Sequence, residues 1–196
     1  MLTQLKDSVS VKGHVKMTVC DPSRAPLEHQ AIERFLRENP ERPGMTVFQM
    51  IDRDQKLRGL LQAFHNRAEE EHQEIDNMVV TAGRTLIANS IWQPSIDTRV
   101  SHVEVGTGTN APANGDTALQ TAVYRNALAS GNNAANIVTL TGYYNLTETS
   151  GTFREAGLFI NGTGTLGTGT LLSRVAINIA KTTSQTMTIE WTLTIS

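Results

Sequence analysis

The closing stretch, residues 185–195, constrains the fold more than any other. Met187, Ile189, Trp191, Leu193 and Ile195 alternate without a break with Thr188, Glu190, Thr192 and Thr194. A period of two puts all five apolar side chains on one face of an extended strand and the polar ones on the other. That pattern belongs to an antiparallel sheet with one face on a core and one toward water. A strand of this kind is stable only among several others, so the rest of the chain must supply partners.

It does. Residues 9–19 place Val9, Val11, Val15, Met17 and Val19 on one face and Lys12, His14, Lys16 and Thr18 on the other. Gly13 keeps the register and marks a possible position for a bend or bulge. Strands are expected at 100–105, 123–129, 137–146, 155–160 and 171–177, with a short strand and turn at 77–83. Between them lie Gly/Thr/Asn loops, above all 106–115 and the low-complexity turn 162–169. Several short strands separated by turn signals argue for an antiparallel β-sandwich rather than a parallel sheet.

A second texture runs through the N-terminal half. Residues 27–38 carry Ile32, Phe35 and Leu36 at helical spacing, and Asn39-Pro40 ends the run. Residues 45–51 are apolar and fit either a short strand or the lead-in to a helix. The clearest helical pattern is 52–76, with a stripe of Leu57, Leu60, Leu61, Phe64, Ala68 and Ile75. Asp52 fits as its N-cap, with Gln55 three residues on. A helix of that span is about 37 Å long. Shorter helical patterns occur at 84–92, through Leu86, Ile87, Ile91 and Trp92, and as a turn at 117–122. The expected fold is therefore mainly β, an antiparallel β-sandwich with an α-helical insertion in the N-terminal half. The body is 1–20 and 77–196, and the insertion is 21–76.

Charge is uneven. Of 17 Lys and Arg, only Arg125, Arg154, Arg174 and Lys181 lie after Ser101, and of 19 Asp and Glu, only Glu104, Asp116, Glu148, Glu155 and Glu190. The second half therefore reads as a β surface almost free of charge. A net charge of −2 without a basic cluster argues against a nucleic-acid or anionic-membrane partner. The lone Cys20 excludes a disulfide framework within one chain and a cysteine-based zinc site. No segment has the apolar core of a signal peptide or the length of a membrane span, and the expectation is synthesis in a cytoplasm.

The candidate sites are few. Gly106-Thr107-Gly108-Thr109 and Gly162-Thr163-Gly164-Thr165 lack the lysine and following helix of a phosphate loop and read as turns. On a helix, His65, Glu69 and His72 would share one stripe, which reads as a solvated face unless partner chains complete a metal site. Glu69, Glu70, Glu71, Glu74 and Asp76 form an acidic helix end. Polysaccharide hydrolysis would need two carboxylates roughly 5–9.5 Å apart across a groove. Its candidates are Glu104, Asp116, Glu148, Glu155 and Glu190; Glu155, beside Arg154, reads as an ion-paired structural residue. Trp92 and Trp191 both fall on apolar patterns and read as core, which leaves few aromatics to stack on sugar.

The ordered set Asn77-Met78-Val79-Val80-Thr81-Ala82-Gly83-Arg84, Val105-Gly106-Thr107-Gly108-Thr109-Asn110-Ala111-Pro112, Asp116-Thr117-Ala118-Leu119-Gln120, Val123-Tyr124-Arg125, Phe153-Arg154-Glu155-Ala156-Gly157-Leu158-Phe159, Leu171-Leu172-Ser173-Arg174 and the Thr-rich close resembles a family of bacteriophage tail-associated, tail fibre-like proteins. The resemblance covers about two-thirds of the chain and the first strand, and 21–76 stands where relatives have a shorter connection. It implies a non-enzymatic virion protein with no cofactor or metal, joining tail, baseplate, neck or fibre parts as a trimer, hexamer or larger ring. The alternatives are a host-surface receptor-binding protein and a capsid decoration protein. Leu57, Leu61, Phe64, Ala68, Glu69, Glu70 and His72 are the expected interface.

Overall fold

The computed structural model describes residues 10–38 and 54–196. The protein is mainly β. Nine antiparallel strands form one sheet curled into a half-barrel, in the order β4-β3-β7-β8-β2-β1-β9-β6-β5. They are β1 (Val11–Cys20), β2 (Glu69–Val79), β3 (Val100–Gly106), β4 (Ala122–Ala127), β5 (Ser130–Ala134), β6 (Ile137–Tyr144), β7 (Gly151–Ile160), β8 (Thr170–Lys181) and β9 (Thr186–Ile195). Among the described residues the α-helices are α1 (Pro26–Glu38), α2 (Gln55–Ala68) and α3 (Thr81–Trp92).

The first and last strands pair along their whole lengths at the centre of the sheet, from Val11↔Ile195 to Cys20↔Thr186. Val15, Met17 and Val19 thereby line up with Trp191, Ile189 and Met187 on one buried face. Gly13 continues this ladder in register; the only irregularity of β1 falls at Val19/Cys20, against β2. Val103, Val105, Phe153, Leu158, Val175 and Ile177, from the other end of the sheet, complete the same core cluster. Curling brings the two halves face to face. The Tyr144 hydroxyl on β6 donates to the Val103 carbonyl on β3 at 3.2 Å. Each fully buried Leu, Ile, Val, Phe or Met in such a core contributes roughly 1.5–3 kcal/mol over its exposed state.

β2 joins the halves. It pairs with β1 from Glu69 to Asn77, but with β8 only at Met78↔Arg174 and Val79↔Ser173. Where β2 peels away from β8, side chains replace the missing ladder. Gln73 Oε1 accepts the Asn178 amide and Glu71 Oε2 accepts the Ala180 amide, both at 3.1 Å. These contacts continue the link between the two strands beyond the end of the ladder.

The strand corrects the helical reading of 52–76. The helix runs only from Gln55 to Ala68, and the acidic stretch that follows is a sheet strand. Glutamate favours helix weakly, and pairing with β1 overrides that preference. Asp54 caps α2 by accepting the Lys56 and Leu57 amides at 2.8 and 3.0 Å. The expected cap Asp52, the stop at Asn39-Pro40 and the segment 45–51 lie outside the described residues. The helical turn expected at 117–122 does not form: 117–121 are irregular coil and Ala122 opens β4; β5 has no counterpart in the strand pattern.

The polypeptide leaves and re-enters the sheet at one point. The Asp21 amide donates to the Ala68 carbonyl at 2.8 Å, closing β1 and β2 into a hairpin whose connection carries α1 and α2. These helices pack on each other through a satellite cluster of Cys20, Ala25, Phe64 and Ala68, with Ile32 against it. Ion pairs Arg67–Glu28 at 2.8 Å and Arg24–Glu70 at 3.0 Å border it. Replacing 22–67 by a two-residue Asn-Gly turn should leave a cooperatively melting β protein. Removing 22–76 should not, because it deletes most of β2. Circular dichroism and thermal melts of the two deletions decide this, and a cooperative melt of the longer one contradicts the topology.

Candidate functional site

The half of the sheet built from β4, β3, β7 and β8 has a second buried face, opposite the core. The loops 107–121 and 161–169 fold over it, and two acid–arginine pairs lie beneath them. Glu155, on β7, and Arg174, on β8, are 0% and 2% exposed. Arg174 Nη2 and Nε donate to Glu155 Oε2 at 2.8 and 3.1 Å. The rest of the carboxylate collects the loop: Glu155 Oε1 accepts the Gly108 and Thr121 amides at 3.0 and 2.7 Å, and Oε2 accepts the Gln120 amide at 2.9 Å. Arg174 reaches the same loop through Asp116 Oδ2 at 2.5 Å and the Asn110 carbonyl at 3.1 Å. A Cβ on Gly106 would come within 2.6 Å of Glu155 Oε1, and one on Gly108 nearer still. The Gly-Thr-Gly-Thr run is thus a close wrap around a buried carboxylate.

The second pair repeats the device. Arg125 Nε, on β4, lies 2.9 Å from Glu104 Oε2, on β3, in contact but off the line of a hydrogen bond. Arg125 Nη1 donates to the Thr163 and Thr165 carbonyls and the Thr168 hydroxyl at 3.1, 2.6 and 2.7 Å, and Nη2 to the Thr168 carbonyl at 2.8 Å. Glu104 Oε2 accepts the Gly167 amide at 2.9 Å. The guanidinium also stacks 4.3 Å above the Phe159 ring. Lys181 anchors a third connection, its Nζ donating to the carbonyls of Leu146, Glu148, Thr149 and Thr182.

Burial sets the electrostatics. It pushes the Glu104 carboxyl up and the Arg125 and Lys181 cations down, since desolvation disfavours the charged forms. At Asp116 burial also acts upward, but the Ala113 amide and Arg174 outweigh it and hold the carboxyl below its ordinary range. Three of the five carboxylates considered for hydrolysis, Glu104, Asp116 and Glu155, are therefore bound to arginines and amides. Glu155 is ion-paired as expected, but with Arg174 rather than Arg154, which is exposed. Glu148 accepts the Asn126 side-chain amide at 2.9 Å and the Asn145 backbone amide at 2.7 Å. Glu190 lies in mid-strand on β9, opposite Lys16 and Thr141.

The residues expected at the interface divide between two elements. Leu57, Phe64 and Ala68 are buried and Leu61 is half-buried on α2; Phe64 and Ala68 pack against this chain's own Cys20 and Ala25. Glu69, Glu70 and His72 stand on β2, so the helical stripe with His65 does not form. His72 instead joins an exposed ribbon of acids and imidazoles: His72 Nε2 lies 3.1 Å from Glu74 Oε1, and His14 Nδ1 3.2 Å from Asp76 Oδ1. Among the described residues no three such donors are placed to share a metal ion.

The exposed apolar surface is elsewhere. α3 packs on β8 with Gly83 tight against Leu172, where an added Cβ would come within 2.7 Å of the Leu172 Cα. Ala82, Gly83, Leu86, Ile87 and Ser90 form the covered arc. Thr81, Arg84, Thr85, Ala88, Asn89, Ile91 and Trp92 form the outward arc, all exposed, with Ile91 and Trp92 at 86% each. Trp191 is core as expected, but Trp92 is not. A helical wheel of 81–92 would have found this, because apolar residues occupy both sides of the helix and one sheet can cover only one.

Comparison of the chain with protein-family models, with curated proteins and with solved structures finds no match.

Glu155→Gln removes a charge that Arg174 needs in a dry site, and should destabilise the protein by about 3–5 kcal/mol. Glu104→Gln should cost clearly less, because burial already opposes the Glu104 charge. Urea titrations of both variants check the order, and equal or reversed losses contradict it.

Proposed function

We propose that this chain is a non-enzymatic structural protein of a tailed-bacteriophage virion, joining tail, baseplate, neck or fibre parts through protein–protein contacts. In this reading the body is sandwich-like and the connection carrying α1 and α2 is a helical insertion. The observation that carries the contact role is the outward arc of α3. An isoleucine and a tryptophan, both fully presented at the end of an otherwise polar outward arc, have the composition of an interface anchor. The resemblance to tail fibre-like proteins supplies the virion setting. The internal use of Glu104, Asp116 and Glu155 favours a scaffold over a hydrolase, since those groups fix loops.

On this reading the protein is made in the infected cell and assembles with other virion proteins. The test is uptake of purified chain by particles assembled without it, followed by gel analysis of washed particles. The wild type should be incorporated, and Trp92→Ala should be incorporated at least about tenfold less while keeping its circular dichroism spectrum. Failure of the wild type to join any particle overturns the virion reading. Equal uptake of Trp92→Ala overturns the role of α3.

A further inference from the structure

We propose that the outward arc of α3 is a two-fold contact with a second copy of this chain, in which antiparallel α3 helices cross at Ala88. The inference rests on the reading of this arc as a protein interface and names its occupant. Three properties of the arc are self-complementary in that arrangement and in no parallel one.

The first is charge. Arg84 is the only charged residue of α3 and sits in its first turn, at the positive end of the helix dipole, while the last turn carries no basic residue. Within one copy that placement is unfavourable. An antiparallel copy brings each Arg84 beside the carbonyl end of the other helix, which has no cation of its own. Arg84 Nη2 is already held at the helix start by the Thr81 hydroxyl at 3.1 Å and the Asn114 side-chain carbonyl at 3.2 Å.

The second is size. Going along the arc, Thr85 and Ala88 are small, and Ile91 and Trp92 are large. Reversing one helix about Ala88 sets each Ile91 against the Thr85 of the other copy, a large side chain against a small one. Ala88 then lies on the axis, where a small side chain permits helix axes about 8 Å apart. The third is the aromatic. The same reversal lays each Trp92 over the partner copy's Arg84, and an arginine over a tryptophan face is a favourable stack. One patch meeting itself is the isologous geometry of most dimers.

A helix about 18 Å long covers less than a standard interface, so the pair should be weak, with a dissociation constant on the order of micromolar. Sedimentation equilibrium of the full chain at concentrations up to about 100 µM should show monomer and dimer. Trp92→Ala should weaken association about thirtyfold with an unchanged fold, because Trp92 contributes nothing to the core. Ala88→Cys should give a covalent dimer on mild oxidation; the native Cys20 is buried, with its thiol pushed up to about 11 by burial, and does not compete. A monomeric wild type, a trimer or hexamer in place of the dimer, or a dimer indifferent to Trp92→Ala overturns the pairing. So does Ala88→Cys that does not cross-link. The two readings fail separately. A monomeric wild type whose Trp92→Ala variant is still lost from particles means that the arc binds another virion protein. Unimpaired uptake of Trp92→Ala removes the interface reading itself.

Discussion

Two buried acid–arginine pairs hold the second layer of this protein to the sheet. Glu155 takes hydrogen bonds from three loop amides and from Arg174, and Arg174 passes the connection on to Asp116 and Asn110. Without Glu155 the loop 107–121 loses the three amide hydrogen bonds that tie it to β7, while Arg174 still reaches Asp116 and Asn110, and Thr81 and Arg84 still reach Asn114. Burying a charged pair is expensive, and the geometry here offsets that cost by filling the lone pairs of Glu155 with donors. The gain is uniqueness: a loop rich in Gly, Thr and Asn, with little propensity of its own, is given one conformation.

This arrangement changes the meaning of the charge distribution. The second half of the chain is poor in charge, and of its nine charged residues Glu104, Arg125, Glu155, Arg174 and Lys181 are buried. The surface is even less charged than the composition implies, because the charges are spent inside, under loops. A neutral, rigid body with pinned connections suits a part that is built against neighbours. Among the described residues it presents the outward arc of α3 and two edge strands, β4 and β5.

Most of the sheet was legible because its strands alternate apolar and polar residues: β1, β3 and β9 are where the periodicity puts them. β2 was not, because among residues 69–76 only Ile75 is apolar, and a run of Glu, Gln and His has a helical composition with no hydrophobic face to contradict it. Its identity as a strand comes from the long-range partner β1. β5 is invisible for the same reason, since Ser-Gly-Asn-Asn-Ala has no apolar alternation. The expected contact residues lie on the longest apolar stripe, and its Phe64 and Ala68 are taken up by this chain's own Cys20, Ala25 and Ile32. Trp92 was assigned to the core because apolar pattern alone does not say which side of a helix finds a sheet. The arginine partners of Glu155 and Glu104 carry no local signal, being 19 and 21 positions away along the chain.

The buried acid–arginine pairs, and not local turn propensity, fix the loops. Amide hydrogen exchange at single-residue resolution tests it directly. The amides of Gly108, Gln120 and Thr121, all donated to Glu155, should exchange as slowly as the ladder amides of β7, although all three sit in the loop 107–121, which is rich in flexible residues. Exchange of these three at the fast rate of the exposed turn residue Gly115 would contradict the account.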